Sequence, residues 1–266
     1  MDHGSVITPQ AELPTISPWW WRQFGRCARF YLRRSFHAMR LSHTGPLPLA
    51  PGAPAVVFLN HPSWWDPLVA ITLAQHCMPE RRHYGPIDAE ALSRYRFFQR
   101  FGFFGVTPGT RRGAATFLRV SQAILRQPQS VLWVTPEGRF ADPRQRPAQL
   151  QPGLGALARR VDGVVFVPLA IEYVFWEERF PEILLRFGEA IPVASACGWE
   201  REARTKQFAQ RLEATQEALA REACRRDPAD FETLLRGRVG VGGMYDMWRM
   251  LRAYKTFRRA HGAENG

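Results

Sequence analysis

The chain has 266 residues, 45% of them hydrophobic, and a formal net charge of +12. That length suits one large α/β domain with terminal attachments. The charge suits a polyanionic partner: nucleic acid, anionic lipid headgroups, a phosphorylated cofactor or an acidic carrier protein. The four cysteines, Cys27, Cys77, Cys197 and Cys224, form no C-x-x-C pair and no Cys/His cluster at zinc spacing, so no metal site is expected and a reduced, cytosolic setting is the simplest one. Residues 1–18 lack the basic-then-apolar order of a secretory signal, and no run of about twenty apolar residues offers a simple membrane span.

Residues 1–17 are rich in Pro, Thr and Ser and read as a loosely packed segment. Residues 19–40 interleave aromatics with arginines at helical spacing. Trp20, Phe24, Tyr31 and Leu32 are expected to share a broad face, with Arg22, Arg26, Arg29 and Arg33 around it. Such a helix can lie in a membrane interface or pack on the domain with a solvated basic face. The Pro/Gly-rich residues 44–54 read as a loop. The run Ala55-Val56-Val57-Phe58-Leu59 reads as a buried strand, and it leads directly into Asn60-His61-Pro62-Ser63-Trp64-Trp65-Asp66. Pro62 suits the first turn of the next helix. His61 and Asp66 would stand about 140° apart on a continuous helix. With His61 placed before the helix and Asp66 in its first turns, the carboxylate can instead fold back onto the imidazole, fix its tautomer and leave the other nitrogen as a base.

Further along, residues 66–76 read as a helix, 79–86 as a turn with a short strand, 89–101 as a helix and 103–106 as a strand. Residues 112–127 are an amphipathic helix, and Ser130-Val131-Leu132-Trp133-Val134 is a strand ending in Thr135-Pro136-Glu137-Gly138-Arg139. Residues 142–151 form a polar loop and 154–161 a short helix. Residues 164–171 form an apolar strand in which Pro168 argues for an edge, a bulge or a strand end. A strand over 183–187, a long polar helix over 199–225 and a basic amphipathic helix over 245–259 complete the pattern. Alternating strands and helices predict an α/β fold, a mostly parallel or mixed sheet flanked by helices. The expected division is 1–50 as a flexible segment with an amphipathic helix, 51–225 as the α/β domain and 226–266 as a basic extension.

Three polar clusters fall at predicted strand ends: His61 with Asp66, residues 107–112, and residues 136–139. Ligand sites in α/β sheets gather at the carboxyl ends of strands. No G-x-S-x-G elbow and no Walker A sequence occur. Gly153-Leu154-Gly155 follows a loop rather than a strand, which argues against a dinucleotide fingerprint.

The ordered set His61-x4-Asp66, Pro136-Glu137-Gly138 and Val167-Pro168-Leu169-Ala170-Ile171 resembles the glycerolipid (lysophospholipid) acyltransferase superfamily over roughly residues 54–189. The resemblance implies acyl transfer from a thioester, acyl-CoA or acyl carrier protein, to a lipid hydroxyl, with no other cofactor. It implies His61 as general base, Asp66 as its partner, Glu137 and Gly138 near the acceptor, and Arg139, Arg111 and Arg112 as anion-binding groups. Two departures bear on the acceptor. The second motif delays its arginines to Arg111 and Arg112, and Arg139 follows Gly138 with no intervening Thr. A glycolipid-like acceptor is therefore an alternative to a lysophospholipid, and a non-catalytic basic lipid- or nucleic-acid-binding protein is the alternative of another class. Nucleic acid is disfavoured, because no zinc finger or RNP-like sequence is present. The expected location is peripheral, on the cytoplasmic face of an anionic membrane.

Overall fold

The computed structural model describes residues 13–45, 47–193 and 200–240. In chain order the main elements are α1 (Pro18–Ser35), β1 (Ala38–Ser42), β2 (Ala55–Leu59), α2 (Asp66–Cys77), β3 (Arg82–Asp88), α3 (Ala89–Arg94), β4 (Phe103–Val106), α4 (Arg111–Leu125), β5 (Ser130–Val134), α5 (Gly153–Ala158), β6 (Val164–Val174), β7 (Glu182–Phe187), β8 (Ile191–Val193), α6 (Arg201–Arg225) and β9 (Phe231–Arg236). The nine strands form one mixed sheet in the order β4-β3-β5-β2-β6-β7-β1-β9, with β8 also paired to β6. Strands β4, β3, β5, β2 and β6 run parallel to one another, and β7 is antiparallel to β6. Their carboxyl ends therefore open on one side of the sheet.

Helices cover both faces because the central strands are apolar on both sides; every residue of β2 is buried. On one face Phe58 and Phe166 pack on Phe208 of α6, with ring centroids 5.3 and 4.9 Å apart. On the other face Val57, Leu59 and Val167 pack with Leu32 of α1 and Val69 and Leu73 of α2. Helix α6 ends where Arg226 adopts a left-handed φ of 54° and Pro228 follows.

Several expectations change. The buried stripe of α1 is Gly25, Ala28 and Leu32, whereas Trp20 and Tyr31 are exposed. Small residues let α1 close on α2, and a Cβ on Gly25 would stand 1.9 Å from Gln75 Oε1. Gln75 in turn donates to the Trp21 carbonyl and accepts from Arg29, both at 2.7 Å. Phe24 faces another neighbour, stacking on Phe101 at 4.5 Å. Pro62 lies ahead of helix α2, and Pro67 takes the early helical position instead. Residues 89–101 split into α3 and a 3-10 turn at Arg96–Arg100.

Pro168 is neither at an edge nor at a strand end. It sits within β6, paired to Phe58 of β2, and its missing N–H falls in the gap between two antiparallel partners. Strand β8 pairs β6 as far as Phe166, and β7 takes over at Leu169. The sheet also reaches past the expected boundaries at 50 and 225. Strand β1 lies between β7 and β9, and both β1 and β9 belong to the same sheet as the central strands. The expected helix over 245–259 lies outside the described residues.

Strand β1 carries Arg40 into the interior, which hid it as a strand in a hydrophobic-pattern reading. The guanidinium pairs there with Glu182 of β7 and donates to Thr233 Oγ1 of β9 at 2.8 Å. Removing one partner of a buried ion pair strands the other charge. Glu182→Ala is expected to lower the unfolding free energy by about 3 kcal/mol in urea titration. A loss below about 1 kcal/mol would show that this pair does not tie the β1 edge to the sheet.

Candidate active site

Strand β2 delivers its last residues to the carboxyl edge, where Asn60 is clamped to β6. Its side-chain amide donates to the Ile171 carbonyl at 2.9 Å and its oxygen accepts from the Ile171 N–H at 2.8 Å. That pair continues the ladder one step past Leu59 and fixes where His61 leaves the sheet. The next residues are not helical, so the chain folds back before α2 begins at Asp66. His61 Nδ1 and Asp66 Oδ2 lie 2.6 Å apart. Asp66 is 1% exposed, and it also accepts from the Ser63 N–H at 3.1 Å and the Tyr173 hydroxyl at 2.6 Å. A carboxylate only accepts, so Nδ1 carries the hydrogen and Nε2 is left as an acceptor.

The turn after β5 holds His61 from the other side. Glu137 Oε2 accepts from the His61 N–H at 3.2 Å, and the Ala141 N–H donates to the His61 carbonyl at 3.0 Å. Between them Gly138, with φ of 67°, closes a turn from Thr135. This left-handed conformation suits glycine. Phe140 then lies over the imidazole at 4.4 Å. Burial raises the Glu137 carboxyl above the usual range, while the His61 N–H and the Arg139 and Arg146 charges pull it down. Glu137 thus reads as a brace for the His61 backbone.

A cleft of about 900 Å³ opens beside the pair. His61, Asp66, Thr135, Gly138 and Arg139 are among the residues that line it. Its lining is largely apolar and in part small, and includes Trp21, Ala70, Ala74, Gly85, Phe103 and Trp133. Residues 107–110, Ala114, Phe117 and Gln151 also line it. Arg139 reaches the wall and donates to Gln145 Oε1 at 3.3 Å. Arg111 and Arg112 do not; both are exposed in the first turn of α4 and lie outside the wall. Glu137 is likewise absent from the wall, being turned to His61. The structure therefore brings His61, Asp66, Glu137, Gly138 and Arg139 together and leaves the α4 arginines apart. Among the described residues no three His, Cys, Asp or Glu side chains converge as a metal site would require.

Tyr173 and Phe140 are absent from the sequence-based set. Tyr173 lies far along the chain in an apolar strand, and only the register of β6 brings it to Asp66. Phe140 sat next to a motif residue, and its position directly after Arg139 was the available signal.

Residues 40–172 match the Acyltransferase family model. The matched segment is half of the chain, and the chain belongs to that family. The fold is similar to that of a 1-acyl-sn-glycerophosphate (LPA) acyltransferase, PlsC, from Thermotoga maritima, with a TM-score of 0.50 and 14% sequence identity over 77% of this chain and 79% of that one. No curated protein matches the chain in sequence.

His83 closes part of the cleft wall. Its ring stacks on Trp21 at 5.3 Å, Nε2 lies 3.0 Å from the Met78 carbonyl, and Nδ1 accepts from Trp133 Nε1 at 3.1 Å. Burial pushes its pKa down to about 4. The unfolded chain then binds a proton near pH 6.5 that the folded state refuses, so stability falls as the pH drops from about 6.5 toward 4. From pH 7 to pH 4.5 this group costs on the order of 2 kcal/mol. His83→Gln is expected to flatten that part of the stability profile in urea titrations at the two pH values. An equal pH dependence in both proteins would rule out His83 as its source.

Proposed function

We propose that the protein transfers a fatty acyl group from a thioester, acyl-CoA or acyl carrier protein, to the hydroxyl of a lysophospholipid-like acceptor. The observation that carries this reading is the 2.6 Å His61–Asp66 pair in the lining of a largely apolar cleft of about 900 Å³. Nε2 of His61 takes the hydroxyl proton as the oxygen attacks the thioester carbonyl. The tetrahedral intermediate then collapses, the C–S bond breaks, and the imidazolium returns its proton to the departing thiolate. Asp66 holds the tautomer and stabilises the transient imidazolium. General-base catalysis of this kind contributes about 10²–10⁴-fold. The apolar lining, Trp21 and Trp133 included, suits the acyl chain, and Arg139 suits an anionic group. Glu137 supports the base through the His61 backbone, and Gly138 keeps the turn close beside it. The co-substrate is the thioester, and no further cofactor is needed.

A second acceptor class is favoured by one observation. Arg111 and Arg112 stand outside the wall, while Thr107, Thr110, Thr135 and Gln151 line it. Uncharged donors and acceptors of this kind suit the hydroxyls of a glycolipid. Turnover with lysophosphatidate against turnover with a monoacyl glycosyl lipid separates the two classes.

The reaction is placed at an anionic membrane, peripherally and on the cytoplasmic face. Support comes from the +12 charge and from exposed aromatics on α1, among them Phe30 and Tyr31 at 60% and 50% exposure. Among the described residues no helix is long and apolar enough to cross a membrane. Arginine-flanked aromatics on a surface helix suit the headgroup region.

His61→Ala is expected to lower thioester-dependent acylation by about 10³-fold in a variant that circular dichroism shows to be folded. Near wild-type turnover would sink the assignment of the base. Replacing Phe30 and Tyr31 by Ser is expected to weaken sedimentation with vesicles containing phosphatidylglycerol by about tenfold. Unchanged sedimentation would remove α1 from the membrane contact.

A further inference from the structure

Strand β6 is longer than the strand it supports. Its pairing with β2 ends at Leu59 and Leu169, yet β6 runs on to Val174 because β7 continues alongside it, with Tyr173 opposite Ile183. The overhanging residues pass the start of α2. Asn60 catches the first part of the overhang at Ile171, and Tyr173, two residues later and on the same side of the strand, reaches Asp66. The Tyr173 ring is partly buried, with the Phe36 ring 5.6 Å away at the end of α1. Phe36 also meets Trp65, the residue before Asp66, at 5.1 Å.

We propose that Tyr173 is a positioning residue for the acyl transfer reaction, acting through the Asp66 carboxylate. This rests on the reading of His61 and Asp66 given above. The two oxygens of Asp66 are divided between two tasks. Oδ2 accepts from His61 Nδ1 and from the Ser63 N–H, and Oδ1 accepts from the Tyr173 hydroxyl at 2.6 Å. A carboxylate held at both oxygens cannot rotate about its Cβ–Cγ bond, so its plane relative to the imidazole is set. The hydroxyl also supplies a donor to a charge that burial keeps from water. Tyr173 can only donate here: burial and the Asp66 charge push its own ionisation well above the usual tyrosine range. It does not line the cleft, so its effect on the reaction passes through Asp66 and His61. When the imidazole takes the hydroxyl proton, the pair becomes imidazolium and carboxylate. The fixed Tyr173 donor keeps the negative partner in place through that step.

A merely structural tyrosine would lower stability when its hydroxyl is removed and leave the kcat of the folded enzyme unmoved. The distinguishing experiment is a double-mutant cycle in the full chain, combining Tyr173→Phe with Asp66→Asn. Tyr173→Phe keeps the ring against Phe36 and removes only the hydroxyl. It is expected to lower kcat about tenfold, since a hydrogen bond to a charged group is lost, with the KM values of both substrates within about twofold of wild type. In the Asp66→Asn background the same change is expected to lower kcat less than about twofold. Circular dichroism melts confirm that each variant is folded, and the Tyr173→Leu variant serves as a packing control expected to lower the melting temperature. Wild-type kcat in Tyr173→Phe, the same loss in both backgrounds, or a loss confined to KM would each overturn the proposal. If those results occur while His61→Ala remains inactive, the general-base reading stands and only the role of Tyr173 falls. If His61→Ala is fully active, both fall together.

Discussion

The Asp66 carboxylate is the constraint on which the site depends. It is buried at the first turn of α2 and held by three donors that come from separate places: the imidazole of His61, the backbone of Ser63 and the hydroxyl of Tyr173. Burying a charge without partners is costly, and burying it with well-placed donors is tolerable. Each donor therefore has to arrive with its own element correctly seated. His61 depends on the end of β2, Ser63 on the fold-back before α2, and Tyr173 on the length of β6. The same demand that holds the carboxylate also aligns the imidazole.

Sheet topology is what meets the demand. Parallel strands put the ends of β2 and β5 on one edge, so His61 and the Glu137 turn face each other there. An antiparallel partner lets β6 overshoot that edge. Pro168 marks the handover that makes this possible, because its missing N–H falls where β8 stops and β7 begins. Small residues on the cleft wall, Ala70, Ala74 and Gly85, keep the space beside the pair open. A Cβ on Gly85 would come within 3.3 Å of the Phe103 ring.

Local sequence made the central strands, helix α4 and the His61–Asp66 pair legible, because short apolar runs and strand-end polar clusters carry their own signal. It could not reveal β1, since Arg40 interrupts the apolar pattern and is neutralised by Glu182, far away in the chain. It misplaced the face of α1 by following the large aromatics, when Gly25 and Ala28 were the residues that allowed close packing. The family resemblance alone points to the arginines of α4 as anion-binding groups. Their direction depends on the helix phase set by Thr110 at its cap, which turns Ala114 and Phe117 to the cleft and leaves Arg111 and Arg112 outside the wall. Tyr173 was invisible for a similar reason: its partner is fixed by strand register, which no local pattern encodes.

The chain belongs to the Acyltransferase family, and the chemistry proposed for it is that an acceptor hydroxyl attacks a thioester directly. The most direct test is to incubate the purified protein with isotope-labelled acyl-CoA, follow thiol release, and identify the acylated lipid by mass spectrometry with and without lysolipid acceptor. The account predicts thiol release that requires the acceptor and equals the amount of new ester, with no label left on the protein. Label bound covalently to the chain, or thiol release at the same rate without any hydroxylated acceptor, would contradict it.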